Sequence, residues 1–342
     1  MNAPRIEINL DKIRHNTRYL VERLAPRGIT VTGVTKAVCG HPAIAKAMLD
    51  GGAIDLADAR IANVKRMRRA GIGCPMLMLR PPMLSQVSLI DECCEISFNT
   101  EFGVIAELAA AAQRKNAVHG ITLMVEMGDM RDGVLPDDLV DLASRVAITP
   151  GVILTGIGAN FACLGHIAPS AGAMAQLSSL AMQIESECGV MLETVSGGGS
   201  ANLPWALGLE KPGRINNLRL GEAILLGVEP VFGNPIDGLY TDAFTLIAEV
   251  IESNIKRDTA QQVEPSIPLP VRSILAIGLQ DTDLTGIEFP PDFTFIGATS
   301  DHTVVESIGC RLQAGSEMDL QVNYSSLMRA MNARDIGQII RA

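Results

Sequence analysis

Eight short apolar runs, interleaved with stretches of helical spacing, fill the first two thirds of the sequence. This alternation narrows the possible folds more than any other feature. The runs are "ITVTGVTK" (29–36), "AIDLADA" (53–59), "PMLML" (75–79), "EISFN" (95–99), "GITLMVEMG" (120–128), "GVILTGIGAN" (151–160), "LETVSGG" (192–198) and "NNLRLG" (216–221). Between them lie good helix formers, as in "HPAIAKAMLDGG", "EFGVIAELAAAAQRKN" and "GAMAQLSSLAMQIESECG", with apolar residues at three- and four-residue intervals. Parallel strands need crossover connections, usually helices, so the alternation predicts a parallel sheet. Eight repeats favour a closed (β/α)8 barrel of the TIM type over an open sheet. After Gly227 the texture changes. "TDAFTLIAEVIESNI", "SILAIGLQDTD", "FTFIGATSDHTVVES" and "LQVNYSSL" read as strands broken by Pro, Gly and Asp turns. The expected organisation is a barrel over 1–228 followed by a C-terminal antiparallel β domain over 229–342, with residues 1–9 a candidate to join that β domain.

Composition excludes several classes. Apolar residues make up 47% and charged residues 19% of the 342, enough for a substantial core. A net charge of −10 argues against nucleic acid and anionic membrane surfaces as partners. "MNAPRIEINL" lacks the basic and apolar regions of a secretion signal, and no run approaches the ~18 apolar residues of a membrane span. Seven cysteines with no C-x-x-C pair argue against a disulfide framework or structural zinc, and fit a reducing cytoplasm.

A barrel places its chemistry at the carboxyl ends of its strands, and the residues found there are polar. Lys36 ends the first run, Arg131 follows the fifth in "MGDMRDGV", and Asn160 ends the sixth. "SGGGSAN" follows the seventh, and Arg219 lies in the eighth. A lysine ending an apolar strand needs a carboxylate partner, a route to water or a chemical role. Three glycines let backbone N–H groups approach an anion, and Ser196 and Ser200 add hydroxyls, so Gly198 and its neighbours form a candidate phosphate cradle. Gly221 and Glu222 add backbone donors. The alternative for the loop is a flexible turn, and for Arg131 a salt bridge to Asp129 or Asp132. A lysine opposite a phosphate cradle suits pyridoxal 5′-phosphate, which needs an imine and a phosphate anchor.

These segments resemble the alanine racemase family of pyridoxal-phosphate enzymes (fold type III), and within it the alanine/ornithine racemase branch. "PRIEINLDKIRHNTRYL" resembles the family's opening, "VTKAVCGHP" its lysine motif and "GDMRDGV" its substrate-arginine motif. "SGGGSANL" is similar to its phosphate loop, and "LRLGEAILLG" to the segment whose arginine meets the pyridine nitrogen. "AIGLQDTD", "IGATSDHTVVE" and "NYSSLMRAM" resemble the branch's C-terminal signatures. The resemblance implies an amino-acid racemase working through a Lys36 aldimine and an α-carbanion. It puts the substrate carboxylate on Arg131 and the ring nitrogen on Arg219, and Asn160, in a histidine's place, orients Arg219. It also implies a head-to-tail homodimer in which the partner supplies the second acid/base.

The tyrosine that fills that second role in alanine racemases is absent here, where the matching place reads Leu279-Gln280. His302 is the first candidate to replace it, since an imidazole titrates near neutrality; Tyr324 and Asp301 follow. The chain also departs from the branch pattern at Gly199, in the glycine-rich loop, and at Leu279, so the substrate stays open. Alternatives are an aldolase or decarboxylase on the same cofactor, a non-catalytic carrier of it, and a cofactor-free barrel aldolase using Lys36.

Overall fold

In the computed structural model, which describes residues 3–164, 168–256 and 270–341, all eight apolar runs contain strands. A first strand, β1 (Arg5–Asn9), precedes them. The eight are β2 (Thr30–Val34), β3 (Asp55–Asp58), β4 (Met76–Met78), β5 (Ile96–Asn99), β6 (His119–Val125), β7 (Val152–Ala159), β8 (Thr194–Ser196) and β9 (Asn217–Leu220). Every neighbouring pair is parallel and β9 returns to β2, with Thr32 opposite Arg219, so the sheet closes into a barrel. The expected helices form at Pro42–Asp50, Phe102–Arg114 and Ala171–Cys188. The last is bounded by local chemistry at both ends. Ser170 accepts the N–H of Ala173, and Gly189 takes the left-handed conformation (φ 66°) that ends many helices. One apolar layer gathers Val34, Ala57, Leu77, Phe98 and Met124, one from each of β2 to β6.

Contacts divide the chain into two units. One comprises Asp11–Lys36 and Gly40–Thr241, and the other Met1–Leu10, Ala37–Cys39 and Asp242–Ala342. Residues 229–241 therefore group with the barrel, and β1 with the second unit. That unit is an eight-stranded sheet adding β10 (Phe244–Ile255), β11 (Pro270–Leu275), β12 (Ile287–Glu288), β13 (Thr294–Ala298), β14 (Thr303–Ile308), β15 (Glu317–Val322) and β16 (Gly337–Arg341). β10 is its long central strand, pairing antiparallel with β1, β15 and β11. β11, β14 and β15 alternate buried and open residues, as half-covered antiparallel strands do. The β1–β16 pair is the parallel exception.

One expected strand is corrected. "LQVNYSSL" is strand only as far as Val322; Asn323 then caps a helix over Tyr324–Asn332 by accepting the N–H of Ser326 at 2.9 Å. Asparagine is a strong helix starter for this reason, and strand-like composition masked it.

Candidate active site

Lys36 stands two residues beyond β2. The strand end is fixed by the buried Thr35, whose hydroxyl donates to Asp58 Oδ2 at 2.7 Å. Asp58 also accepts the N–H of Arg60 at 2.9 Å and Asn63 Nδ2 at 3.0 Å. The Lys36 side chain keeps an open surface, yet protein surrounds its ammonium closely enough for desolvation to lower its pKa. Arg131 and Arg219 push the same way, while Cys163 and Asp58 oppose them. A lowered pKa favours the neutral amine that a nucleophile or base requires.

Arg219 on β9 is 6% exposed, and no carboxylate among the described residues bonds to it. Its Nη1 donates to Ser196 Oγ at 2.8 Å, and its Nη2 donates to Ala159 O at 2.8 Å and to Asn160 Oδ1 at 2.9 Å. The guanidinium lies over the Phe98 ring, with Cζ 4.9 Å from the centroid, a cation–π distance. Burial pushes its pKa down to about 10, which leaves it charged at neutrality. Two of its five N–H groups have no acceptor among the described residues. Gly158, which the sequence reading passed over, makes the placement possible: a Cβ there would lie 2.9 Å from Arg219 Nη1 and 3.2 Å from Ser196 Cβ.

Ser196 is fully buried and already engaged. It accepts from Arg219 and donates its own proton to Asn217 Oδ1 at 2.8 Å, while Asn217 Nδ2 donates to Thr32 Oγ1 at 2.9 Å. Ser196 therefore has no proton left for an anion, and its place is beneath Arg219. Ser200 differs. Its Oγ accepts the N–H of Ala223 at 3.1 Å, and its own proton has no acceptor among the described residues. The N–H groups of Gly199 and Glu222 likewise have none. Gly198 is left-handed (φ 99°), and a Cβ on it would lie 3.0 Å from the Phe161 ring; one on Gly221 would lie 3.2 Å from Val34 Cβ. These glycines let the backbone pack closely against Phe161 and Val34, and the turn keeps spare donors, which suits a phosphate. The Glu222 carboxyl is half-buried. Desolvation raises its pKa to about 7, against a lowering by Lys36 and with a further rise from Glu229.

Arg131 pairs with Asp132 through a short contact from its Nε to Oδ1; the Asp129 alternative does not form. Asp129 is buried, and its Oδ1 accepts the N–H groups of Cys163 at 2.8 Å and Leu164 at 3.0 Å. Asn160 Nδ2 reaches Asp132 Oδ1 at 3.5 Å. Cys163 is exposed as a residue, yet desolvation raises its thiol pKa, against the opposing influence of Arg131, Lys36 and Arg219. His41 directly precedes the helix Pro42–Asp50 but makes no side-chain cap.

The barrel unit thus brings together Lys36, Arg131, Asn160, Ser196, Gly198, Ser200, Arg219, Gly221 and Glu222 at its strand ends. Asp301, His302 and Tyr324 belong to the second unit. Asp301 and His302 form the exposed turn between β13 and β14. Asp301 accepts from Gln280 Nε2 and Ser300 Oγ, both at 2.7 Å. The His302 backbone N–H meets Thr299 Oγ1 at 3.2 Å. Tyr324 opens the C-terminal helix.

A closed parallel barrel that gathers a desolvated lysine, two arginines and a glycine-rich turn with spare N–H donors at its strand ends has the layout of a barrel enzyme. Comparison with known proteins narrows the class. The family model for the alanine racemase N-terminal domain matches residues 8–230, and the chain belongs to the alanine racemase family. It is similar to an ornithine racemase of Acetoanaerobium sticklandii, 30% identical with 97% of this chain and 98% of that protein covered. It is also similar to a lysine racemase of Thermotoga maritima, 32% identical with 97% of each covered. The alanine racemase structure from Streptomyces lavendulae matches with a TM-score of 0.80 at 19% identity, covering 100% of this chain and 98% of that one. A D-threonine aldolase from Filomicrobium marinum matches at 0.78 and 16% identity, covering 98% and 90%. At such identities the structures speak to fold alone.

Proposed function

We propose that the protein is a pyridoxal 5′-phosphate-dependent racemase interconverting the L- and D-forms of an α-amino acid. The observation that carries the reading is the neutral cradle of Arg219, a buried charged donor held by a hydroxyl, a carbonyl and an amide. The cofactor fits the donor set: Lys36 would hold its aldehyde carbon, and Ser200, Gly198, Gly199, Gly221 and Glu222 its phosphate. Arg219 would meet the ring nitrogen, supported from below by Ser196 and from the side by Asn160. When bound, the cofactor supplies the electron sink that makes the Cα–H of an amino acid acidic. A guanidinium does not give up its proton, so Arg219 donates a hydrogen bond without protonating its acceptor. That restrains the sink and favours prompt return of a proton to Cα, as racemisation requires. Lys36 Nζ moves the proton on one face, and Arg131 holds the substrate carboxylate on its unengaged Nη edge.

The opposite face is assigned to His302 from a second copy of the chain in a head-to-tail homodimer, with Tyr324 and Asp301 as the next candidates. Such an enzyme works on free amino acids, not on nucleic acid or a membrane; among the described residues no helix is long and apolar enough to cross one. A cytoplasmic location suits seven cysteines that form no disulfide among the described residues.

Proton NMR in D₂O, with the cofactor and single L-amino acids, tests the reading. Ornithine and lysine head the panel because the two full-length relatives are named for them, and alanine follows. Loss of one α-proton signal together with the D-enantiomer establishes the racemase. Exchange without inversion means that one face lacks a working base. Cleavage of a β-hydroxy amino acid favours the aldolase whose fold is shared. No exchange across the panel refutes the reading for those substrates.

A further inference from the structure

One oxygen atom links the two arginines of the barrel mouth. Asp132 Oδ1 receives Arg131 Nε and also Asn160 Nδ2 at 3.5 Å. Asn160 passes the connection on through its own Oδ1, which accepts Arg219 Nη2 at 2.9 Å. The 3.5 Å step is at the outer limit of a hydrogen bond, and the charges of the three side chains act beside it. The charges agree. Burial is the main influence lowering the pKa of Arg219; Arg131 lowers it further, and Asp132 is the carboxylate that opposes them. Arg131 is stabilised by the same carboxylate against burial.

The pairing is also incomplete in a useful way. Asp132 takes only the Nε of Arg131. Among the described residues, the four N–H groups on its two Nη atoms have no acceptor. An arginine fixed through Nε presents its outer edge to a planar anion in a defined orientation. The Arg131 side chain is 41% exposed and that of Asp132 21%, so this edge is open to a ligand.

We propose that Asp132 is a positioning residue. It is a countercharge shared by Arg131 and Arg219, aiming the open edge of Arg131 at an incoming carboxylate and holding Arg219 in place through Asn160. Such a residue pulls in two directions. Its negative charge repels the carboxylate that Arg131 binds, so it weakens binding. Its grip fixes the orientation of both guanidinium groups, so it raises turnover. A mere structural prop would lower both together when removed.

The kinetic arm of the test rests on the racemase reading; the binding arm does not. The holoenzyme and its Asp132→Asn, Asp132→Glu and Arg131→Ala variants are titrated with propionate by calorimetry, and kcat and KM are measured for the amino acid found in the NMR panel. Asp132→Asn is expected to bind propionate about fivefold more tightly, from loss of one repulsive charge near the surface, while kcat falls about tenfold or more. Asp132→Glu restores both towards wild type, and Arg131→Ala loses propionate binding. Unchanged propionate affinity in Asp132→Asn overturns the proposal. So does a parallel fall in affinity and kcat that Asp132→Glu does not rescue. So does wild-type protein that binds propionate no better than Arg131→Ala. If no amino acid exchanges its α-proton, the racemase reading fails separately, and the propionate series still decides the role of Asp132.

Discussion

Replacing Gly158 by alanine should disable the site by displacing Arg219 from two strands away. A Cβ at this position would sit 2.9 Å from Arg219 Nη1 and 3.2 Å from Ser196 Cβ, where ordinary contact begins near 3.4 Å. The far end of an arginine would normally swing aside at small cost. This one is bonded to Ser196, Ala159 and Asn160 at 2.8, 2.8 and 2.9 Å and backed by Phe98. A withdrawal of about half an ångström stretches the Ser196 bond out of its good range, and charged hydrogen bonds contribute roughly 1.5–3 kcal/mol each. Losing one or two of them in a buried setting should cost about 2–4 kcal/mol. Thermal unfolding should fall by on the order of 5 °C, and kcat about tenfold or more, since 1.4 kcal/mol misdirected at the transition state is already a factor of ten. Gly103→Ala is the control, because a Cβ within the helix Phe102–Arg114 meets nothing within 4 Å and should stabilise by about 0.5–1 kcal/mol. If Gly158→Ala unfolds at the wild-type temperature and turns over at the wild-type rate, the guanidinium is not locked as described.

Three further outcomes are expected. Lys36→Ala should abolish the visible absorbance of bound pyridoxal phosphate and all α-proton exchange; retained exchange would move the covalent role elsewhere. His302→Ala should cut racemisation by roughly 10²–10⁴ while exchange without inversion persists, and normal racemisation would pass the second face to Tyr324 or Asp301. Asp55 sits with a buried, unpartnered Oδ1, and burial pushes its pKa up to about 6 from 3.8. The folded chain holds that proton more tightly, so this contribution to stability is complete below pH 4 and is lost as pH rises through 6. Asp55→Asn should therefore match wild type in urea unfolding at pH 4 and exceed it by about 1–2 kcal/mol at pH 8; equal stability at both would refute the assignment.

What was legible in the sequence follows the range of the forces involved. The barrel strands announced themselves because each is buried on both faces and reads as one apolar run, and helix starts such as Ser170 are local chemistry. Lys36, Arg131 and Arg219 were legible as charges stranded at apolar strand ends. What lay on top of what was not. Gly158 looks like any glycine in "TGIGAN" until Arg219, 61 positions on, is seen to occupy the space beside it. Ser196 and Ser200 read alike in "SGGGSAN", yet one hydroxyl is spent on Asn217 and the other is not. Asp132 was visible only as a rival partner for Arg131, since its link to Asn160 spans 28 residues of chain. Tyr324 fell in an expected strand because the Asn323 cap is a single residue against a strand-like background.

β1 carries a consequence for how the chain is made. It pairs with β10 through Ile8 and Phe244, so its first partner leaves the ribosome only after the whole barrel has been synthesised. At about 5–20 residues per second, that wait lasts on the order of ten to fifty seconds, in which the barrel can close while the β1 edge stays bare. The barrel is in effect a passenger inserted between two strands of one sheet. Release of nascent chains at successive lengths should therefore show protease resistance over the barrel before β1 is protected, and an early-protected β1 would mean that something other than β10 shelters it meanwhile.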